Sequence, residues 1–571
     1  MTQLAARTIG GAGTGKTREL IGIVEKLLAN GADPYRVGFV SLTRAARREA
    51  AERAASKFGL SVDDLTRGNG WFRTLHAVCY RQLGVGKELL TDDSAESRRW
   101  IEEAMGERAR IGTAAVDPDE ADEGADGERQ TDSEAALRIW SHARNTLSAV
   151  APVWQRERDT DRCGTFARRT PDLARVESAI ERYEEAKRLD NRCDFADLLA
   201  RFAGWRLSVD GPERTTPLGD VPGLTAWILD EAQDVSALSG AVFRRLIDTE
   251  SCRYVYLSGD PYQAVFRFCG ADHRVFRSWP VAKERIAPKS WRCPAPILEL
   301  GEQILRQCSD YFDRKIAPAD HKGHVLKAIL ETALAIVRPD EEWLILTRAG
   351  YQHRQIARML NDAAVPFLNT HGGGEWHAPK RTAAITCLLS MERGSPVGAD
   401  ELKVVIDLIK VGRKSDLLER GTKTRWEAMK KKDLAAVGLE GLVAPEHWES
   451  LGITAKLGAM IRSGAWRDPQ APLIDKAPLF KRAVDRWGYG PVLDPKVQLG
   501  TIHSAKGREA DNVLLLTTTT ERCVASAKAS VEDRDAEHRV WYVGATRARR
   551  RLVLARERNA MSGARPEYRM P

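Results

Sequence analysis

The sequence predicts an α/β protein of more than one domain. Three observations carry that expectation. A glycine-rich loop lies between a short apolar strand and an amphipathic helix at residues 6–31; an apolar run at residues 226–229 ends in Asp230 and Glu231; and short apolar runs alternate with helical periodicity in the second half of the chain. At 571 residues the chain is too long for one core, so several domains of ordinary size are expected.

The loop reads GGAGTGKT, comprising Gly10, Gly11, Ala12, Gly13, Thr14, Gly15, Lys16 and Thr17, and fits the phosphate-binding pattern G-x-x-x-x-G-K-[ST]. Its glycines let backbone N–H groups turn inward around phosphate oxygens, and the positive end of the following helix points the same way. Residues 6–9 supply the strand; Leu20, Ile21, Val24, Leu27 and Leu28 recur at helical spacing until Gly31 stops the helix. Strand, loop and helix thus come in the order that nucleotide binding needs. Lys16 is placed to reach the β- and γ-phosphates of ATP, and the Thr17 hydroxyl to ligate Mg²⁺. The run AWILDEAQD adds the second carboxylate strand. Core strands do not end in acids unless a cation or water waits there, so Asp230 is expected to hold the Mg²⁺ through water and Glu231 to polarise the attacking water.

Composition narrows the class. Hydrophobic content of 43% and charged content of 29% suit a globular chain. No run approaches a membrane span, and the first residues lack the apolar core of a signal peptide, so a cytoplasmic protein with no membrane partner is expected. The nine cysteines form no CxxC pair, and the HxxH pair His321 and His324 has no cysteine nearby, so neither a disulfide framework nor a zinc site is indicated. The tract at 117–134 holds nine acids against one arginine, a local charge of −8, which leaves +16 on the remainder of a chain whose net charge is +8. A basic body suits a polyanion but equally a solvated surface, so charge alone does not decide. The acidic tract itself reads as a loop.

Further segments carry a resemblance. VGFVSLTRAARREA (37–50), RTLHAVCYRQL (73–83), CDFADLL (193–199), LSGDPYQAVFRFCGA (257–271), KSWRCP (289–294), GTIHSAKGREADNV (500–513) and RVWYVGATRARRRLVL (539–554) occur in this order. With the two nucleotide segments they resemble the ordered motifs of UvrD/Rep-type superfamily 1 DNA helicases. The resemblance implies two RecA-like P-loop domains, each interrupted by a mostly helical insertion. The first would comprise 1–82 and 193–277, with its insertion at 83–192. The second would comprise 278–380 and 495–571, with its insertion at 381–494. The runs RYVYLS, WLILT, VQLGTIH, NVLLLTT and RRLVLA supply strands for these domains.

The same resemblance assigns roles. Arg292 and Arg547 align with γ-phosphate-sensing arginines, a task suited to a permanent charge and a forked donor set. Gln263 would link the γ-phosphate to the DNA-facing loop, Glu509 would contact the ribose, and Trp291 would stack on the base. Arg539 would organise the helix bearing Arg547, and Arg549, Arg550 and Arg551 would form a solvated or DNA-facing edge. Thr43, His76 and His503 align with contacts to the DNA backbone. Phe266 and Phe268 flank Arg267 at a spacing that puts both rings on one face of an extended segment, where they would stack on bases.

Three departures from the family stand out: Cys269 replaces an arginine, Leu42 replaces a stacking phenylalanine, and the adenine-reading glutamine would lie upstream of this chain, Gln3 being too close to Gly10 to replace it. With stacking alone at Trp291, a purine would be held without its edge being read. The implied activity is ATP-driven, Mg²⁺-dependent translocation on single-stranded DNA with 3′→5′ unwinding at duplex junctions, with partners in repair, replication or recombination. Two alternatives stand beside it: an ATP-gated DNA-binding regulator that does not unwind, and the motor subunit of a nuclease or defence complex. No nuclease-like segment follows Arg556, so in the latter case the cutting subunit is expected to be a separate chain.

Overall fold

The computed structural model describes residues 3–41, 44–91, 94–107, 109, 131–162, 170–370, 376, 379–409, 416–428, 442–468, 473–474, 477–558 and 566–571. Two compact units divide the chain: one holds residues 1–330, 346–352 and 501–571, the other 331–345 and 353–500.

In the larger unit the strands β1 (Leu4–Ile9), β2 (Val37–Val40), β3 (Trp71–Arg73), β4 (Ala226–Leu229), β5 (Tyr254–Gly259) and β6 (Lys283–Ile286) form one sheet, ordered β3-β2-β4-β5-β1-β6. All five strand pairings in it are parallel. Strands β2 and β4 are apolar and buried along their whole length because both faces are covered. Alternate residues serve opposite cores: Ala226 and Ile228 pack with Leu20, Ile21 and Phe39, whereas Trp227 and Leu229 pack with Leu198, Val242 and Phe243. A second set of parallel strands, His324–Ile329, Ala548–Arg556 and Ala510–Leu516, lies in the same unit.

The helices Ala95–Met105, Asp132–Thr146, Val150–Arg162 and Leu173–Leu189 bury a cluster of their own around Ile101, Trp140, Ile180 and Tyr183. The acidic tract falls at 117–130 outside the described residues. Its last part is no loop, however: Thr131 caps the helix Asp132–Thr146 in a reciprocal capping box with Glu134. The smaller unit carries the helices Pro379–Glu392, Ala399–Leu408, Ala455–Arg462 and Ala477–Trp487, and a parallel pairing of Phe367–Asn369 with residues 497–499. Among the described residues no helix is long and apolar enough to cross a membrane.

A buried ion cluster ties the helical layer to the sheet. Asp194 opens the CDFADLL helix, Phe195–Ala203, by accepting from Ala196 N–H at 3.0 Å and Asp197 N–H at 3.1 Å. The same carboxylate takes Arg144 at 2.8 Å, the Tyr183 hydroxyl at 3.0 Å and Lys187 at 3.3 Å. Burial disfavours this carboxylate, but Arg144 and Lys187 outweigh burial and hold its pKa far below the ordinary carboxylate range. Removing one partner from such a cluster strands buried charge. Asp194→Asn keeps the shape and the cap acceptor and removes the charge; urea unfolding should show a loss of about 3–5 kcal/mol. A loss below about 1 kcal/mol would place the cluster with exposed ion pairs instead.

Candidate nucleotide site and its ring cluster

Strand β1 delivers Gly10 directly, and Gly15 in the left-handed region (φ 78°) starts the helix Lys16–Ala29. Gly13 is also left-handed (φ 67°), and a Cβ there would lie 2.2 Å from Arg292 Cβ. The strand Lys289–Pro294 therefore lies directly against the loop. Trp291 N–H donates to Gly13 O at 2.8 Å, and the Ser290 hydroxyl donates to Ala12 O at 2.7 Å. Lys16 is buried, its ammonium donating to Gly11 O at 3.1 Å.

Asp230 N–H extends the ladder to Val40 O at 2.9 Å, which sets the carboxylate beyond the end of β4. The Thr17 hydroxyl donates to Asp230 Oδ2 at 2.7 Å. Burial, then the adjacent Glu231 carboxylate, pushes Asp230 up to about 7. A hydroxyl beside a buried carboxylate is an oxygen donor set suited to Mg²⁺. Glu231 takes the left-handed region (φ 52°), unusual for a non-glycine residue and typical of functional positions, and accepts from Gln233. Burial raises Glu231, but Lys16 and Lys506 outweigh it and hold the carboxyl below its ordinary value.

Gln263 and Arg547 meet in the same place. Arg547 Nη2 donates to Gln263 Oε1 at 3.2 Å, and its other donors reach Val543 O at 3.0 Å and Arg508 O at 3.3 Å. Burial, with Arg292 nearby, lowers Arg547 to about 10, so it is charged at neutral pH. Arg292 is ion-paired with Glu509 and donates to Thr546 O at 3.4 Å. Glu509 also takes Arg549 at 3.3 Å, and Arg549 reaches Asp511 at 2.9 Å. Arg539 pairs with Asp310 at 2.7 Å. Trp291 is 66% exposed beside Gly15, with the Lys289 ammonium 4.9 Å from its ring centre. Gln3 spends its amide on Ile247 O at 2.8 Å and Cys252 O at 3.3 Å.

The ring pair departs from expectation in its backbone. Residues Arg267–Cys269 form a 3₁₀ turn, not an extended segment, because Gly270 takes the left-handed region (φ 86°) and closes the turn through Gly270 N–H to Arg267 O at 2.8 Å. The rings still converge: Phe266 and Phe268 are 6.1 Å apart, and His503 lies 6.4 Å and 5.6 Å from them. His76 is not part of this cluster; it meets Phe195 edge-on at 5.4 Å, and burial lowers its imidazole to about 4. Thr43 and Leu42 lie outside the described residues.

Several polar residues that sequence reasoning left unassigned complete the site. The Lys506 ammonium pairs with Asp234, donates to Gln263 O at 2.6 Å and lies 4.9 Å from the Phe266 ring centre. It therefore touches both the carboxylate segment and the ring cluster. Its place in TIHSAKG was a usable signal. Asp260, Arg314 and Tyr542 form a further buried group. Asp260 falls in LSGDPYQAVFRFCGA and Tyr542 in RVWYVGATRARRRLVL, whereas Arg314 falls in none of the motif segments.

A parallel sheet with a phosphate loop, a carboxylate-tipped strand and Arg292 packed against the loop at Gly13 defines a P-loop nucleotide hydrolase built on RecA-like domains. The family model for the UvrD/REP helicase N-terminal domain matches residues 5–280, and that for the UvrD-like helicase C-terminal domain matches residues 490–559. The chain belongs to the UvrD/Rep-type superfamily 1 helicases, ATP-dependent enzymes that act on DNA. It is 24% identical to the ATP-dependent DNA helicase UvrD2 of Mycobacterium tuberculosis, over 96% of this chain and 76% of that protein. It is 25% identical to the RecBCD enzyme subunit RecB of M. tuberculosis, over 55% of this chain and 31% of RecB. With DNA helicase IV of Escherichia coli it shares 22% identity, over 64% of this chain and 56% of that protein.

Gly13→Ala tests the packing of the loop. The added methyl meets both an unfavourable φ and the Arg292 side chain, so ATP turnover should fall at least about tenfold with an unchanged circular dichroism spectrum. Turnover within about twofold of the parent would mean that the loop and the Arg292 strand separate freely.

Proposed function

We propose that this chain is an ATP-driven translocase on single-stranded DNA that unwinds duplex junctions in the 3′→5′ direction. The observation that carries the reading is the Gln263 bridge: its side chain accepts from Arg547, and its backbone oxygen accepts from Lys506, which lies over Phe266. One residue thus joins Arg547, which lies near the Glu231 carboxylate, to the lysine over the rings suited to bases.

In this reading the cores are 1–82 with 193–277, and 278–380 with 495–571. Residues 10–17 cradle the phosphates, with Lys16 on the β- and γ-oxygens. Thr17 and Asp230 hold Mg²⁺, which supplies charge neutralisation at those oxygens when bound. Glu231 orients and polarises the hydrolytic water, while Arg292 and Arg547 stabilise charge at the γ-phosphate. Glu509 lies on the ribose side and Trp291 offers its face to the base. Phe266 and Phe268 stack on the strand, with Thr43, His76 and His503 on its backbone. The direction of travel rests on the family resemblance.

Strand displacement on 3′-tailed, 5′-tailed and blunt duplexes tests the activity. Unwinding of the 3′-tailed substrate alone is expected. Unwinding of the 5′-tailed substrate alone reverses the polarity, and ATP turnover with no unwinding on any substrate favours an ATP-gated DNA-binding protein. Lys16→Ala and Glu231→Gln should each abolish DNA-stimulated hydrolysis in a folded protein, and near-parental rates in either would remove that residue from the chemistry. Phe268→Ala should weaken single-strand affinity by about 1–3 kcal/mol with little sequence dependence; unchanged affinity would assign the ring to packing.

A second reading, the motor of a nuclease assembly, is favoured by the similarity to RecB. Co-purification of a nuclease subunit with the tagged chain from its own host would support it.

A further inference from the structure

Segments distant in sequence meet at the hydroxyl of Tyr542. That residue sits on the helix Val531–Ala545, which leads to Arg547. A phenol has one hydrogen to give and lone pairs to receive. The oxygen of Tyr542 accepts from Ala12 N–H at 3.1 Å, donates to Asp260 Oδ2 at 3.2 Å, and lies 3.4 Å from the donating Arg314 Nη2. Its capacity is filled, and every partner is protein.

Arg314 closes the arrangement. Its Nη1 donates to Asp260 Oδ1 at 2.7 Å and to Gly10 O at 3.3 Å, and Nη2 donates to Glu302 Oε1 at 2.7 Å. The rings of Tyr262 and Tyr542 lie 4.7 Å and 5.5 Å from the guanidinium. Asp260 in turn accepts from the Gln263 amide at 2.9 Å. The phosphate loop, the Gln263 loop and the helix leading to Arg547 are therefore joined through two side chains. A lysine could satisfy Asp260 as a point charge, but only a fork spans Gly10, Asp260 and Glu302 together.

We propose that Tyr542 and Arg314 are positioning residues that hold the helix leading to Arg547 in register on the phosphate loop, so that Arg547 and Gln263 reach the γ-phosphate together. The inference rests on the nucleotide-site reading above. Neither side chain is a catalytic residue, since the Tyr542 hydroxyl and both terminal nitrogens of Arg314 are engaged by the protein. Their effect runs through the residues they fix.

The test uses Tyr542→Phe and Arg314→Lys in the full chain. Tyr542→Phe keeps the ring, which packs where Gly301 has no side chain, and removes only the hydroxyl. In the nucleotide-free protein, amide hydrogen exchange in the peptide containing Ala12 should accelerate at least about fivefold. On saturating single-stranded DNA, kcat should fall about tenfold while KM for ATP stays within about twofold. Arg314→Lys should fall in parallel. Parental exchange together with parental kcat in Tyr542→Phe overturns the proposal, as does a raised KM with kcat intact, which would make the hydroxyl a binding group. Full activity of Arg314→Lys overturns the role of the fork. If the parent shows no DNA-stimulated turnover, the nucleotide-site reading fails, and the exchange measurement alone decides whether the hydroxyl pins the loop.

Discussion

The ion pair between Asp260 and Arg314 is wholly out of water, with both side chains 0% exposed. Charges in that position persist only when they are paired and their remaining donors and acceptors are met. Both terminal nitrogens of Arg314 and both oxygens of Asp260 are met by groups that include the phosphate loop, the segment after β5 and the helix Val531–Ala545, so these segments cannot be placed independently. The same demand recurs at the adjoining buried pair of Lys506 with Asp234, where burial outweighs the lysine and raises the acid to about 6. These segments therefore meet through directed polar contacts rather than a greasy seam. Hydrogen bonds exchange partners at modest net cost, whereas a close-packed apolar seam resists separation. A contact made this way can respond to a phosphate that competes for its donors.

The local grammar of the chain was legible. The strand before the loop, the helix after it and the acid-tipped strand follow from apolar runs bounded by glycines and acids, and the structure forms β1, the helix Lys16–Ala29 and β4 there. The two RecA-like domains could be expected because ordered segments carried the family pattern. What sequence could not reveal depends on distant partners. Arg314 reads as one surface arginine among many until Gly10 and Asp260 close around it. The segment at Phe266 reads as extended from its alternation, but Gly270 adopts a conformation that closes a turn. The acidic tract reads as loop to its end by composition, although Thr131 and Glu134 have the spacing of a capping box.

The departures from the family gain physical content from their surroundings. Gln3 is committed to the carbonyls of Ile247 and Cys252. Trp291 stands largely exposed beside the loop, which excludes a place in the core. A broad indole face next to a phosphate cradle suits stacking on a purine, and stacking does not distinguish purine edges. Cys269 forfeits an arginine, and its carbonyl instead accepts from Asn145 at 2.9 Å, tying the turn to the helical layer.

Arg547 is proposed to act on the γ-phosphate while the phosphate loop does the binding. The measurement that bears on it most directly is steady-state ATP turnover on saturating single-stranded DNA for Arg547→Ala, set beside the equilibrium nucleotide affinity of the same protein. Turnover should fall by about 10³–10⁵, with affinity weakened by less than about tenfold. A loss of turnover below about tenfold, or a loss of affinity that accounts for the whole effect, would contradict it.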